Sequence, residues 1–395
     1  MILLLLALQL ALSEPVQERR VEGDWGGFRG SGGRGIAEEK ELPLKWGKTE
    51  GLRWTAPLPG RGLSCPVVAG GRVYVTACEG AQQERLLTLC FDAPSGRELW
   101  RRELRATGST QCNGKTCMAA ATPAADGRRV VVLFATGDLA AFDPEGRLLW
   151  YRSLVGDYPT IGNNVGMAAS PVLQGERVFV AMENVGESFA AAIDVRTGAN
   201  LWKHERAAKI NWTTPFVLGG DVLFQSGEEL TAYDVESGAK RWSLAGKFST
   251  IPSPTGAEGL VLAPGGGLVA LRPSGGSPSP LWESKGLQSG TATPTLHAGR
   301  IYTISAAGVL ACGDAATGEV VWKQRLTGAY SASPLIAGDR LYAINEAGLA
   351  TVVKLGDMPE VLAENKLDDV IIASPAAAGG TLYFRSDKAL YAAGR

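Results

Sequence analysis

The stretch Asp194-Val195-Arg196-Thr197-Gly198-Ala199-Asn200-Leu201-Trp202 recurs along this 395-residue chain. It returns as Asp92 with Ser95-Gly96 and Trp100, as Asp234 with Ser237-Gly238 and Trp242, and as Asp314 with Thr317-Gly318 and Trp322. A version one residue shorter runs from Asp143 through Gly146 to Trp150. Ahead of each copy stands a small or hydroxyl residue followed by Pro, an apolar run, a glycine-containing turn and a second apolar run. Ala169-Ser170-Pro171 through Gly175 to Val180 shows the pattern. Eight such prolines occur, at Pro66, Pro123, Pro171, Pro215, Pro254, Pro294, Pro334 and Pro375. From the fourth onward they lie 39, 40, 40 and 41 residues apart (215 to 254 to 294 to 334 to 375). A period near 40 with several short strands per unit is that of a β-propeller blade. The expected fold is therefore all-β, an eight-bladed β-propeller.

Each part of the unit has a physical reason. Five-residue apolar runs rich in Val, Tyr, Phe and Leu and bounded by Gly fit strands. The Asp accepts backbone hydrogen bonds within its turn, and the Gly after it takes the left-handed conformation that the turn needs. Trp then buries a flat surface against the neighbouring blade. Trp54, Trp100, Trp150, Trp202, Trp242, Trp282 and Trp322 are read as docking residues with a structural role. Two blades depart from the pattern. Blade five has Arg272 in place of Asp and a long turn from Pro273 to Pro278; blade seven carries Gly356-Asp357-Met358-Pro359 and has no Trp. The first two proline spacings, 57 and 48 residues (66 to 123 to 171), place the insertions in blades one and two.

Residues 1–13 read as a signal peptide: an apolar run too short to span a bilayer, with Ala11 and Ser13 at the cleavage end. Residues 14–50 read as an irregular segment across the ring, pinned by Trp25, Phe28 and Trp46, and 51–395 as the propeller. The last unit ends without a Trp-bearing strand, whereas Gly51-Leu52-Arg53-Trp54 is such a strand with nothing before it. The amino-terminal strand is expected to complete blade eight and close the ring. The net charge of −1 gives no electrostatic case for nucleic acid or an anionic membrane. A monomer in the periplasm or secreted medium is expected.

The form Ala-x-Asp-x-x-Thr-Gly-x-x-x-Trp, nearly intact at Ala192 to Trp202 and Ala232 to Trp242, resembles the tryptophan-docking motif of the pyrroloquinoline-quinone (PQQ) repeat family. That family includes quinoprotein dehydrogenases and the propeller lipoprotein of the outer-membrane β-barrel assembly machine. For a dehydrogenase the resemblance implies PQQ and calcium at the ring centre, stacked between a Trp and a disulfide of adjacent cysteines. This chain has no adjacent pair. Its nearest candidate is Cys112 and Cys117, a possible disulfide closing a short loop, with Trp212 available as a wall. Six cysteines in an exported chain permit disulfides. A zinc site is not expected, since no Cys-x-x-Cys occurs and the chain has two histidines, His204 and His297. No catalytic residue and no metal ligand is assigned.

The connections entering each blade before its Pro are expected to open on one face near the axis. They carry Arg61, Asn113, Lys115, Tyr158, Asn163, Asn164, Asn211, Trp212, Gln288, Tyr330, Asp368 and Asp369, a set of amides, aromatics and carboxylates suited to a ligand or an extended peptide. The leading expectation is an exported binding or scaffold propeller with protein partners in the envelope and no cofactor. The alternatives are a PQQ- and calcium-dependent oxidoreductase and a small-ligand sensor.

Overall fold

A computed structural model describes residues 23–48, 50–273, 276 and 278–394. The signal peptide reading at 1–13 lies outside these residues, as do Ser274, Gly275 and Ser277 of the blade-five turn. Eight four-stranded antiparallel sheets follow one another. Blade one is Val67–Ala69, Arg72–Glu79, Arg85–Asp92 and Glu98–Arg105, and six further blades repeat this order. Blade eight takes Ala376–Ala378, Thr381–Arg385 and Ala389–Ala393 from the end of the chain and Leu52–Pro57 as its outer strand. Leu52 pairs with Ala393 and Pro57 with Ala389, so the ring is closed as the unmatched strand near the start of the chain requires.

The Trp position rests on a β-bulge. In blade three Ala192 pairs with Trp202 and Ile193 with Asn200, so Leu201 is the extra residue. The same shift occurs at Trp100, Trp150, Trp242, Trp282 and Trp322. A bulge re-aims the side chains that follow it, here turning each indole towards the next blade. The residue across the ladder from the ring is small: Cys90, Ala141, Ala192, Ala232, Ala270 or Cys312. The alanine that opens the recurrent motif is this cross-strand partner.

The indoles of Trp54, Trp100, Trp150, Trp202 and Trp282 each lie on the Asp-Gly turn of the following blade. The Trp150 Nε1–H donates to the Val195 carbonyl at 2.7 Å, and a Cβ on Gly198 would stand 2.7 Å from the Trp150 ring. Gly238 repeats this beneath Trp202, at 2.4 Å. Glycine is thus required twice over, by its φ near +75° and by the ring pressed on it. The Asp194 carboxylate accepts from the Arg196 backbone N–H at 2.8 Å, while its own carbonyl accepts from Gly198 N–H at 2.8 Å.

The residue before each blade's proline forms a ring of hydrogen bonds about the axis. Backbone N–H groups of Cys65, Thr122, Ser170, Thr214, Ser253, Thr293 and Ser333 donate in turn to the hydroxyls of Thr122, Ser170, Thr214, Ser253, Thr293, Ser333 and Ser374. Cys65 follows Ser374 in the circuit and carries a sulfur where the other positions carry a hydroxyl. The Ser/Thr-Pro signature is therefore the inter-blade seam: the hydroxyl satisfies a buried N–H of the preceding blade, and the proline starts the inner strand without needing a donor.

Residues 23–46 cross the lower face, opposite the connections that precede the prolines. Trp25 bridges to Val68 of blade one, Ala125 N–H donates to the Gly26 carbonyl, and Ile36 bridges to Ile336 of blade seven. Trp25 and Trp46 are buried, as expected. Phe28 is half-buried, and the residue that pins the segment is its neighbour Arg29, 2% exposed. The Arg29 Nη2 donates to Thr295 Oγ1 at 2.5 Å and to the Arg34 carbonyl at 3.1 Å. Burial lowers its pKa to about 9.

Candidate functional site

The upper face is built from two sets of loops: the connections that precede the prolines and the hairpins between the second and third strands of each blade. One of the two longest connections, that before blade two, is an arch. It starts at Thr107, whose N–H and hydroxyl donate to Asp138 at 3.1 and 2.8 Å. Asp138 is fully buried and also accepts from the hydroxyls of Thr136 and Tyr151, so a lone carboxylate is held by four donors. The arch then reaches blade three, where Asn113 N–H donates to the Val165 carbonyl at 3.0 Å. On its other side the Gly114 carbonyl accepts from Arg61 Nη2 at 2.7 Å, and Lys115 Nζ lies 3.4 Å from Glu346 of blade seven. The arch therefore spans this mouth of the axis from blade three to blade seven.

Arg61, Asn113 and Lys115 come together with Glu346 and Asp387, the latter 3.8 Å from Arg61 Nε. Asp369 faces the same sector, accepting from Ser386 Oγ at 2.5 Å and Tyr391 OH at 3.1 Å; burial and this carboxylate push the Tyr391 phenol above its ordinary range. Asp368 turns outward with φ near +53° and pairs with Lys366 at 2.8 Å. Asn164 and Gln288 are exposed.

The remaining predicted residues hold the loops. Asn163 donates to the Ala135 carbonyl at 2.6 Å and accepts from Gly166 N–H at 2.8 Å. Asn211 is buried, donating to the Gln225 carbonyl at 2.7 Å above the buried Arg206–Glu183 pair, 3.1 Å apart. Trp212 donates its indole N–H to the Gly166 carbonyl at 2.6 Å. Tyr330 is 1% exposed. Tyr158 packs on Phe189 of blade three, at 4.8 Å between centroids, with Lys203 Nζ over its ring at 4.1 Å.

Glu346, Asp387 and Gln83, the last 3.8 Å from Cys112 of the arch, stand outside the connections before the prolines and so carry none of their sequence signal. All three lie on the second-to-third-strand hairpins, Gly80–Glu84, Asn345–Gly348 and Ser386–Lys388, which reach the same face. The alternation of strands would have placed them there.

The expected Cys112–Cys117 pairing is not found; the cysteines are free. Cys112 Sγ lies 3.6 Å from the Thr116 carbonyl and 3.8 Å from Gln83 Nε2. Cys117 turns inward, fully buried, onto Cys78. The turn Asn113–Thr116, closed by a 2.9 Å backbone hydrogen bond, sends the two side chains apart.

The lower face holds a cavity of about 280 Å³ between the crossing segment and blades two to six, lined among others by Phe28, Arg29, Arg34, Arg128 and Phe216. Among the described residues no three His, Cys, Asp or Glu side chains stand where they could share a metal ion, and the would-be disulfide wall has diverged.

The family described as outer membrane protein assembly factor BamB matches residues 36–211, 166–283 and 278–357. The chain is 24% identical over 288 residues to outer membrane protein assembly factor BamB of Burkholderia pseudomallei, covering 69% of this chain and 58% of that one. It is 25% identical over 243 residues to polyvinylalcohol dehydrogenase of Sphingopyxis sp., covering 49% of this chain and 35% of that one. The chain thus spans little more than half the length of the first of these relatives and about a third of the second. BamB from Moraxella catarrhalis superposes with a TM-score of 0.64 at 17% identity, over 86% of this chain and 95% of that one. A europium-containing methanol dehydrogenase gives 0.69 at 11% identity, over 93% and 90%. At these identities the structural likeness is one of fold.

Proposed function

The chain belongs to the outer membrane protein assembly factor BamB family, and from that premise we propose that it is a protein-binding propeller of the cell envelope whose docking surface is the upper face. The observation that carries this reading is the arch. It fills the mouth where propellers receive small ligands, and in its place presents Arg61, Lys115, Glu346 and Asp387 as a mixed-charge surface contributed by several blades. Such a surface favours orientation and fast encounter with a complementary partner. Lys115 is 77% exposed and its pair with Glu346 is worth little in isolation, so both remain free to exchange partners. The match to BamB relatives supports a role in outer-membrane protein assembly.

The test is a photo-crosslinking amino acid placed at Lys115 and, as a control, at Glu98 on an outer strand, in cells that carry the gene. Defined adducts from Lys115 and not from Glu98, together with reduced levels of folded outer-membrane barrels when the gene is deleted, are expected. Adducts from Glu98 alone would move the docking surface to the outer strands.

The dehydrogenase relatives support a second reading, a quinoprotein oxidoreductase. Titration with PQQ and calcium, followed by tryptophan quenching and dye reduction, decides it. Saturable calcium-dependent quenching with turnover would replace the docking reading.

A further inference from the structure

Cys78 is the penultimate residue of the second strand of blade one and Cys117 lies in the arch, 39 residues later (78 to 117). Both side chains are buried, at 1% and 0% exposure. The backbone brings them together through residues 61–63: Arg61 forms a β-bridge with Cys78, and two residues on Leu63 N–H donates to the Ala119 carbonyl. The Gln83 side chain fixes the approach. Its Oε1 lies 3.2 Å from Cys78 Sγ and accepts the Met118 N–H at 3.0 Å. Met118, the residue after Cys117, is thereby held against Cys78 through one amide oxygen.

A cation faces them. Arg385 is 1% exposed, and its guanidinium is spent on the carbonyls of Ser64 and Ser386 and the Ser64 hydroxyl, with Nη2 lacking a hydrogen-bond partner. Among the described residues no carboxylate lies within ion-pair distance of it; burial works against its charge, and the anionic forms of Cys117, Asp387, Cys78 and Cys65 favour it. A buried guanidinium beside two neighbouring thiols stabilises a thiolate, the species that performs disulfide exchange.

We propose that Cys78 and Cys117 form a disulfide by exchange with an external disulfide, and that this bond staples the arch to blade one. Cys78, which adjoins the Gly80–Glu84 turn and touches Gln83, is the attacking sulfur, and Cys117, fully buried beneath it, is the resolving one; the Cys117 neighbour also holds the Cys78 thiol below its ordinary range. Its thiolate cleaves the S–S bond of oxidised glutathione, forming a mixed disulfide and releasing one glutathione thiolate. Cys117 gives its proton to solvent and attacks the Cys78 sulfur, displacing the second glutathione. The protein's two thiols lose two electrons and two protons, and the reagent gains both as two glutathione thiols. Access runs through the exposed Gly80–Glu84 turn, where Gln83 separates Cys78 from the half-buried Cys112.

The experiment uses the full chain purified under reducing conditions, incubated with oxidised glutathione, alkylated and digested without reduction for mass spectrometry. A Cys78–Cys117 linked peptide is expected, retained in Cys112→Ser and abolished in Cys78→Ser. The melting temperature of the wild-type protein should rise on oxidation, since the bond closes a long loop. A Cys112–Cys117 link would overturn the proposal, and so would six free thiols after incubation. The peptide map of the wild-type chain decides the matter even if a serine variant fails to fold.

Discussion

Trp202 shows what one residue contributes to this ring. Its indole contacts Phe179, His204, Phe224 and Tyr233 and rests on Gly238 of the next blade. Replacing it by Ala should cost about 3–5 kcal/mol in denaturant unfolding, the range for emptying a large buried aromatic site. A loss below about 1 kcal/mol would contradict the docking role, being far under that range. The indole N–H groups separate the blades further. Trp150 donates to the Val195 carbonyl, whereas the buried Trp202 Nε1 has no partner. Trp150→Phe should therefore cost about 1 kcal/mol more than Trp202→Phe, the net worth of one hydrogen bond. Cys65 stands alone among hydroxyls in the inter-blade ring, so Cys65→Ser should be neutral or stabilising by thermal melting. A large fall would mean the sulfur is needed for packing.

At the scale of the element, the Asp-Gly turn is the unit that repeats. Hydrogen bonds from the Arg196 side chain and from turn N–H groups hold the Asp194 carboxyl below the usual carboxylate range, and Asp234 is lowered likewise by the Ser237 N–H and hydroxyl. A depressed folded-state pKa contributes stability that is present above the unfolded value, near 4, and is lost as pH falls through the folded one. The melting temperature should drop steeply below about pH 4, where these carboxylates protonate. In Asp194→Asn that acid-side drop should be shallower. The strands, the eight blades and their closure could be read from the sequence, because a 40-residue period, alternating apolar runs and a surplus outer strand are local or arithmetic signals. The bulge before each Trp was not legible, since nothing in Ala199-Asn200-Leu201 announces an extra residue; it follows from the small residue that must face the indole. Nor was the arch. Asn113 and Lys115 were seen as loop residues, but their partners Val165 and Glu346 lie far away in sequence. The possible Cys112–Cys117 disulfide was read from nearness along the chain, whereas the turn between the two residues sends their side chains apart.

For the whole molecule, the crossing segment and the arch cover opposite mouths of one axis. Arg29 ties the former into the ring through Thr295 and the Arg34 carbonyl. Arg29→Ala should leave the blades folded, with unchanged circular dichroism, while trypsin cleavage after Arg34 speeds up. Loss of the β-sheet spectrum would instead make this segment part of the folding nucleus of the ring.

Closure by Leu52–Pro57 against Ala389–Ala393 also determines how the ring answers to mechanical load. The antiparallel register sets Leu52 directly beside Ala393, so a tether on the chain before residue 52 and another after residue 393 would pull at the same end of one ladder. Force applied there peels hydrogen-bonded pairs apart in succession, starting at Leu52, and does not shear them all at once. Seven blades would carry no tension until the eighth had opened. A propeller held from both flanks is thus weakest at its own seam, and a bound partner lying across blades eight and one would act as a clamp on it.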